Sequence, residues 1–253
     1  MIYCFMSHSH SKIMPEEIRS KPADFLSLSQ KLWYAVRTGD GDVVIFQEFL
    51  EKGNTVLLER QLINDAVKKA FWINLYNAFM QWILLKHPEM NKYRNRLFNA
   101  KFINLCDHLL SLDDIEHGML RRSKIKWSGG YLSKCFPGNF EKTFRVDKPD
   151  YRIHFTLNCG AKSCPSIRFY TPGNIDDELN IATKNYLENE VIYEEEKNVL
   201  QLPAIMSWYR GDFGGKNGML QLCRRLELMP ENVHPVIRLN KYDWTLLPRN
   251  YKN

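Results

Sequence analysis

The sequence predicts an α+β fold in which a helical N-terminal portion packs on a small, mostly antiparallel sheet. Two observations set the class: helical apolar spacing runs from Pro22 to about Leu85, and the later chain holds short apolar runs bounded by Gly, Pro and Asn. A third sets the organisation. No repeat, low-complexity tract or Pro/Ser-rich linker interrupts the chain, so residues 22–253 read as one domain and residues 1–21 as an extended or poorly ordered segment. At 253 residues such a domain can bury a substantial core.

In chain order, the spacing predicts helices over Asp24 to Arg37, Asp42 to Glu51, Thr55 to Glu59 and Ile63 to Lys86. Pro88 ends the last, because a proline disfavours helix at the residue before it. Within it, Ala70 to Ala78 is apolar all round except for Asn74 and Asn77, which share one side and need partners if buried. Ser111 is a helix-capping type followed by Asp113 and Asp114, which favours a helix from Leu112 to about Arg122 carrying Glu116, His117 and Arg121. Trp127 to Gly138 reads as loop. Asp150 to Asn158 alternates in polarity and predicts a strand, with Tyr151, Ile153, Phe155 and Leu157 on one face and Arg152, His154, Thr156 and Asn158 on the other. A turn with Cys159 and Cys164 follows. Beyond it come a helix over Ile175 to Glu190, strands at Val191 to Tyr193 and Val199 to Leu202, helices over Ala204 to Asp212 and Lys216 to Leu228, and strands at Val236 to Leu239 and Trp244 to Leu247.

Composition narrows the function classes. Hydrophobic residues at 44% and charged residues at 25% are globular values. The net charge of +6 is spread along the chain without basic runs, so there is no specific nucleic-acid signal. No stretch reaches the roughly 18 apolar residues of a membrane helix. The opening MIYCFM lacks a basic leader and a cleavage site, which predicts a cytoplasmic location. Six scattered cysteines in a chain of this size read as reduced thiols.

Four motifs in this order, AFWINLYNA at Ala70, SLDDIEHGMLR at Ser111, DYRIHFTLNCGAKSCPSIRFY at Asp150 and KYDW at Lys241, resemble the domain of unknown function 547 family. The resemblance implies a relation to bacterial proteins, many of them exported, and to plant proteins that join the domain to coiled-coil segments. It implies no reaction.

The residues themselves suggest three chemistries. In the first, Cys159 is the nucleophile of a hydrolase or acyl transferase acting on an amide, ester or thioester. A free thiol is only a few per cent ionised at neutral pH, so a histidine is needed as base. His117 is preferred to His154, which a strand rising about 3.3 Å per residue would carry away from the turn. Glu116 and Asn158 are the orienting or oxyanion-stabilising groups. Asn74, Asn77, His154, Arg121, Arg152, Ser163 and Cys164 are candidates for substrate contact, on a small molecule or a peptide. Cys164 is alternatively a resolving or reactive thiol. In the second, His117, His154, Cys159 and Cys164 would hold a metal, but their spacing lacks the paired ligands of zinc sites, and no metal or cofactor is expected. In the third, the chain is a non-catalytic peptide- or protein-binding module whose walls include Trp208, Tyr209, Tyr242 and Trp244.

Overall fold

The computed structural model describes residues 24–39 and 43–251; the expectation for residues 1–21 lies outside them. Four helices open the chain: α1 (Phe25–Thr38), α2 (Val43–Glu51), α3 (Thr55–Gln61) and α4 (Asp65–Lys86). Local chemistry sets their ends. Asp24, Asn54 and Asn64 each accept a backbone amide of the first turn, and α1 stops where Gly39 takes a left-handed φ of 78°. α4 gives way at His87, before Pro88. It is the axis of the larger core: from Ala70 to Gln81 every side chain is buried, packed against α1 on one side and the later chain on the other.

A turn of 3-10 helix (Pro88–Tyr93) leads to α5 (Arg94–Asn99), then to a hairpin of β1 (Ile103–Leu105) and β2 (His108–Leu110). Asp114–Leu120 is a π-helical segment, closed by Arg121 N–H on Glu116 C=O at 2.9 Å. After α6 (Asn139–Phe144) and α7 (Ile175–Glu190), the chain forms a three-stranded sheet of β3 (Ile192–Glu194), β4 (Val199–Leu202) and β5 (Val236–Leu239). β3 and β4 pair antiparallel and β4 and β5 parallel, with α8 (Ala204–Trp208) and α9 (Gly215–Arg225) between them in the chain. The sheet, α9 and the end of α7 bury a second, smaller core around Leu200, Leu202, Met206 and Cys223. The fold is α+β.

Two predicted strands are not strands. Tyr151–Phe155 is a 3-10 helix capped by Asp150, which accepts Arg152 N–H at 3.1 Å, and the apparent alternation dissolves because both faces are covered. Ile153, His154, Phe155, Thr156, Leu157 and Asn158 are all buried. Trp244 to Leu247 makes only an isolated bridge, Ala161 to Leu246, and runs beside the cysteine turn: Lys162 N–H meets Thr245 C=O and Leu247 N–H meets Gly160 C=O, both at 2.8 Å.

Candidate active site

The buried amides of α4 build the platform under the cysteine turn. Asn74 holds the main chain of Tyr170 in both directions, at 2.8 and 3.0 Å, and Asn77 does the same between Thr156 C=O and Asn158 N–H, at 2.9 Å each. One turn on, Gln81 reaches Asn158 Oδ1 at 3.1 Å and accepts Arg249 N–H at 2.7 Å. Asn158 in turn accepts Gly160 N–H and donates to Pro165 C=O. Gly160 sits at φ 79°, and a Cβ there would meet Leu84 Cδ1 at 2.2 Å, so any other residue would be strained and would have to displace Leu84. Asn74, Asn77 and Asn158 thus brace the turn from beneath, and none lines the cleft above it.

That cleft, about 380 Å³, lies between α4, the π-helical segment and the cysteine turn, and is closed by the end of α8 and by residues 242–244. Cys159 opens onto it. Its Sγ lies 2.6 Å from Cys164 Sγ and 3.3 Å from the Tyr242 hydroxyl. Cys164 is buried and accepts the amides of Cys159 and Ala161, at 3.0 and 3.3 Å, with Tyr242 at 3.1 Å. The hydrogen bond from Cys164, helped by Tyr242, the Ala161 amide and the charge of Arg94, brings the Cys159 thiol down to about 7 against the opposing effect of burial. Burial and the charge of that thiolate push Cys164 up. The pair releases one proton readily and keeps the other.

Elsewhere in the lining of the cleft, a buried ionic cluster organises two histidines. Arg121, 1% exposed, donates through Nε to Asp212 Oδ2 at 2.6 Å and through Nη1 to His117 Nδ1 at 2.9 Å. Since arginine only donates, His117 Nδ1 accepts and the ring proton sits on Nε2. That Nε2 faces Asp113 at 3.4 Å without hydrogen-bond alignment and has no hydrogen-bond partner among the described residues, although His117 lines the cleft. Asp212 Oδ2 also takes His154 Nε2 at 2.9 Å. A carboxylate only accepts, so His154 carries its proton on Nε2 and leaves Nδ1 as a base. Burial alone would raise the Asp212 carboxyl, but hydrogen bonds from His154 and Arg121 hold it at about 2. Burial pushes His154 below the usual histidine value, against the pull of Asp212. Its ring stacks on Tyr209 at 3.8 Å and 9°, and the Tyr209 hydroxyl donates to Glu116 at 2.5 Å.

The candidates therefore divide. Cys159, His117, His154 and Glu116 line one cleft; Arg121 and Cys164 stand behind its walls. The hydrogen-bond partners of the Cys159 thiol are Cys164 and Tyr242, so the expected His117 contact is replaced by a thiol and a phenol. His154 lines the cleft because a 3-10 helix rises only about 2.0 Å per residue, where a strand would have removed it. Arg152 is spent elsewhere, on Asp150, Asp176 and Asn180. Ser163 Oγ accepts Asp243 N–H at 2.9 Å and so fixes the loop that carries Tyr242. Of the aromatic wall candidates, Trp208, Tyr209, Tyr242 and Trp244 all line the cleft. The residue missed in the sequence is Asp212, whose only signal was an acid in the Gly-rich turn after α8. Among the described residues no cluster of His, Cys, Asp and Glu suits a metal ion, and no helix is long and apolar enough to cross a membrane.

Comparison with known proteins gives one match. No curated protein and no solved structure matches the chain. A family model described as "Protein of unknown function, DUF547" matches residues 61–187, from the end of α3 to the end of α7, which takes in α4, the π-helical segment and both cysteines of the turn. With half of its length matched, the chain belongs to the DUF547 family.

Proposed function

We propose that the protein is a cysteine-dependent hydrolase or acyl transferase acting on an amide, ester or thioester. The observation that carries the reading is a thiol brought to about 7, opening on a cleft whose lining presents a carboxylate-oriented imidazole. Cys159 Sγ attacks the acyl carbon. The thiol proton passes to His154 Nδ1, directly or through one water, and Asp212 steadies the imidazolium that results. His154 then returns the proton to the leaving amine, alkoxide or thiol, and water or a second acceptor takes the acyl group from sulfur. His117 Nε2–H, buried on the cleft wall with the Asp113 carboxylate 3.4 Å away and out of hydrogen-bond alignment, is suited to turn to the oxygen that becomes negative.

The test is alkylation by iodoacetamide as a function of pH, with the labelled cysteine located by mass spectrometry. Cys159 is expected to label in the folded protein with an apparent pKa of about 7. On incubation with a p-nitrophenyl ester, wild type should gain an acyl group on Cys159 and Cys159→Ala none. Labelling of Cys159 only after denaturation sinks the proposal.

A second reading, a peptide-binding module, is favoured by the aromatic side of the cleft. Trp208 and Trp244 stack at 5.5 Å and 15°, and the Arg94 guanidinium lies 4.0 Å over Trp244. Under it, Cys159→Ala leaves peptide capture unchanged, whereas Trp244→Ala abolishes it.

A further inference from the structure

Away from the chemistry of the cleft, the loop over residues 122–136 combines features that point to an interface. It is a short hairpin-like excursion: Ile125 N–H meets Leu132 C=O at 2.9 Å, Lys134 N–H meets Ser123 C=O at 2.8 Å, and Lys124 bridges Ser133. Its tip and far arm expose large apolar side chains, with Trp127 at 80%, Tyr131 at 60%, Leu132 at 53% and Phe136 at 95%. So many exposed in fifteen residues are not the scattered surface apolars of an ordinary fold.

The charge of the stretch itself is one-sided, although acids from outside it pair with two of its cations. From Arg122 to Phe140 the basic residues are Arg122, Lys124, Lys126 and Lys134, and there is no acidic residue. Lys126 and Lys134 reach back to Asp113 and Glu141, outside that stretch, and remain exposed. Exposed apolar side chains flanked by cations fit the boundary between acyl chains and anionic headgroups. The backbone agrees. Ser128 Oγ donates to the Ile125 carbonyl at 2.8 Å and accepts Leu132 N–H, Tyr131 N–H meets Ser128 C=O, and Gly129 C=O takes Gly211 N–H at 2.7 Å. Main-chain groups satisfied within the protein enter a water-poor layer without the desolvation cost of bare ones.

We propose that the loop over residues 122–136 docks the protein on an anionic lipid surface, inserting Trp127, Tyr131, Leu132 and Phe136 between cationic flanks. Because Lys126 also lines the Cys159 cleft, docking sets the cleft mouth beside the lipid headgroups. The inference is independent of the reaction: Cys159→Ala is expected to dock as wild type does.

The experiment is co-sedimentation of the full chain with vesicles of phosphatidylcholine alone and of phosphatidylcholine mixed with phosphatidylglycerol. Wild type should sediment with the mixed vesicles and not the neutral ones, and added salt should release it. The double variant Trp127→Ala/Phe136→Ala changes only exposed side chains, so it keeps its fold, and should bind roughly tenfold or more weakly. Arg122→Gln and Lys124→Gln should each weaken binding roughly fivefold. Binding to neither vesicle, or equal binding by wild type and the double variant, overturns the proposal. So does a wild-type dimer in sedimentation that the double variant dissolves while vesicles bind neither, which would assign the loop to a second copy of the chain.

Discussion

Arg121 and Asp212 decide what the two cleft histidines are able to do. One guanidinium fixes the proton of His117 on Nε2, and one carboxylate fixes that of His154 on Nε2 while leaving Nδ1 bare. The sequence pairs His117 with Arg121 at i and i+4 but gives no hint that the pair continues to Asp212, 91 residues on. Asp212→Asn is expected to leave the buried Arg121 without its counter-charge and destabilise the fold by about 3 kcal/mol or more. Urea unfolding checks this. The same variant should still alkylate at Cys159 with an apparent pKa of about 7, since Asp212 is not among the groups that lower that thiol. A large rise in that pKa would show that the two walls are one electrostatic unit.

At the scale of elements, α4 was legible in the sequence as a buried helix with two amides on one side, and its role follows from those amides. Asn77→Ala removes a donor and an acceptor that serve the main chain on both sides of Leu157, so roughly 2–4 kcal/mol of stability should be lost at two buried hydrogen bonds. The accompanying loss of order at the turn should appear as faster amide exchange at Asn158 and Gly160. Elements with clear spacing between turn residues are legible: α7 falls on its predicted bounds, Ile175–Glu190, and β4 and β5 on theirs. The β1–β2 hairpin could not. Its strands are three residues long, and its turn uses Cys106 and Asp107 at φ 51° and 61°, positions where glycine or asparagine would have signalled it. The Tyr151–Phe155 helix is disguised as a strand in the sequence for a related reason. Period-two alternation predicts a strand only when one face meets solvent, and here both faces are buried.

The whole molecule is pinned by two low-lying carboxyls in different places. Asp150, between Lys69 and Arg152, is held at about 2 although burial opposes it, and Asp212 likewise. Each is depressed below its unfolded value of about 3.9, so each stabilises the fold fully above that pH and loses its contribution as pH falls through about 4 toward 2. Acid unfolding followed by circular dichroism should fall in that window, and Asp150→Asn should be less stable than wild type at neutral pH and differ little from it near pH 2. The loop over residues 122–136 and the turn after α8 also meet glycine to glycine. Gly211 N–H bonds Gly129 C=O, a Cβ on Gly211 would lie 2.7 Å from the Gly130 carbonyl carbon, and one on Gly130 would lie 2.3 Å from Asp212 Oδ1. Gly130 thus lies directly against the residue whose carboxylate holds His154 Nε2, so substitutions at Gly130 or Gly211 are expected to disturb the proton placement on His154 as well as the loop.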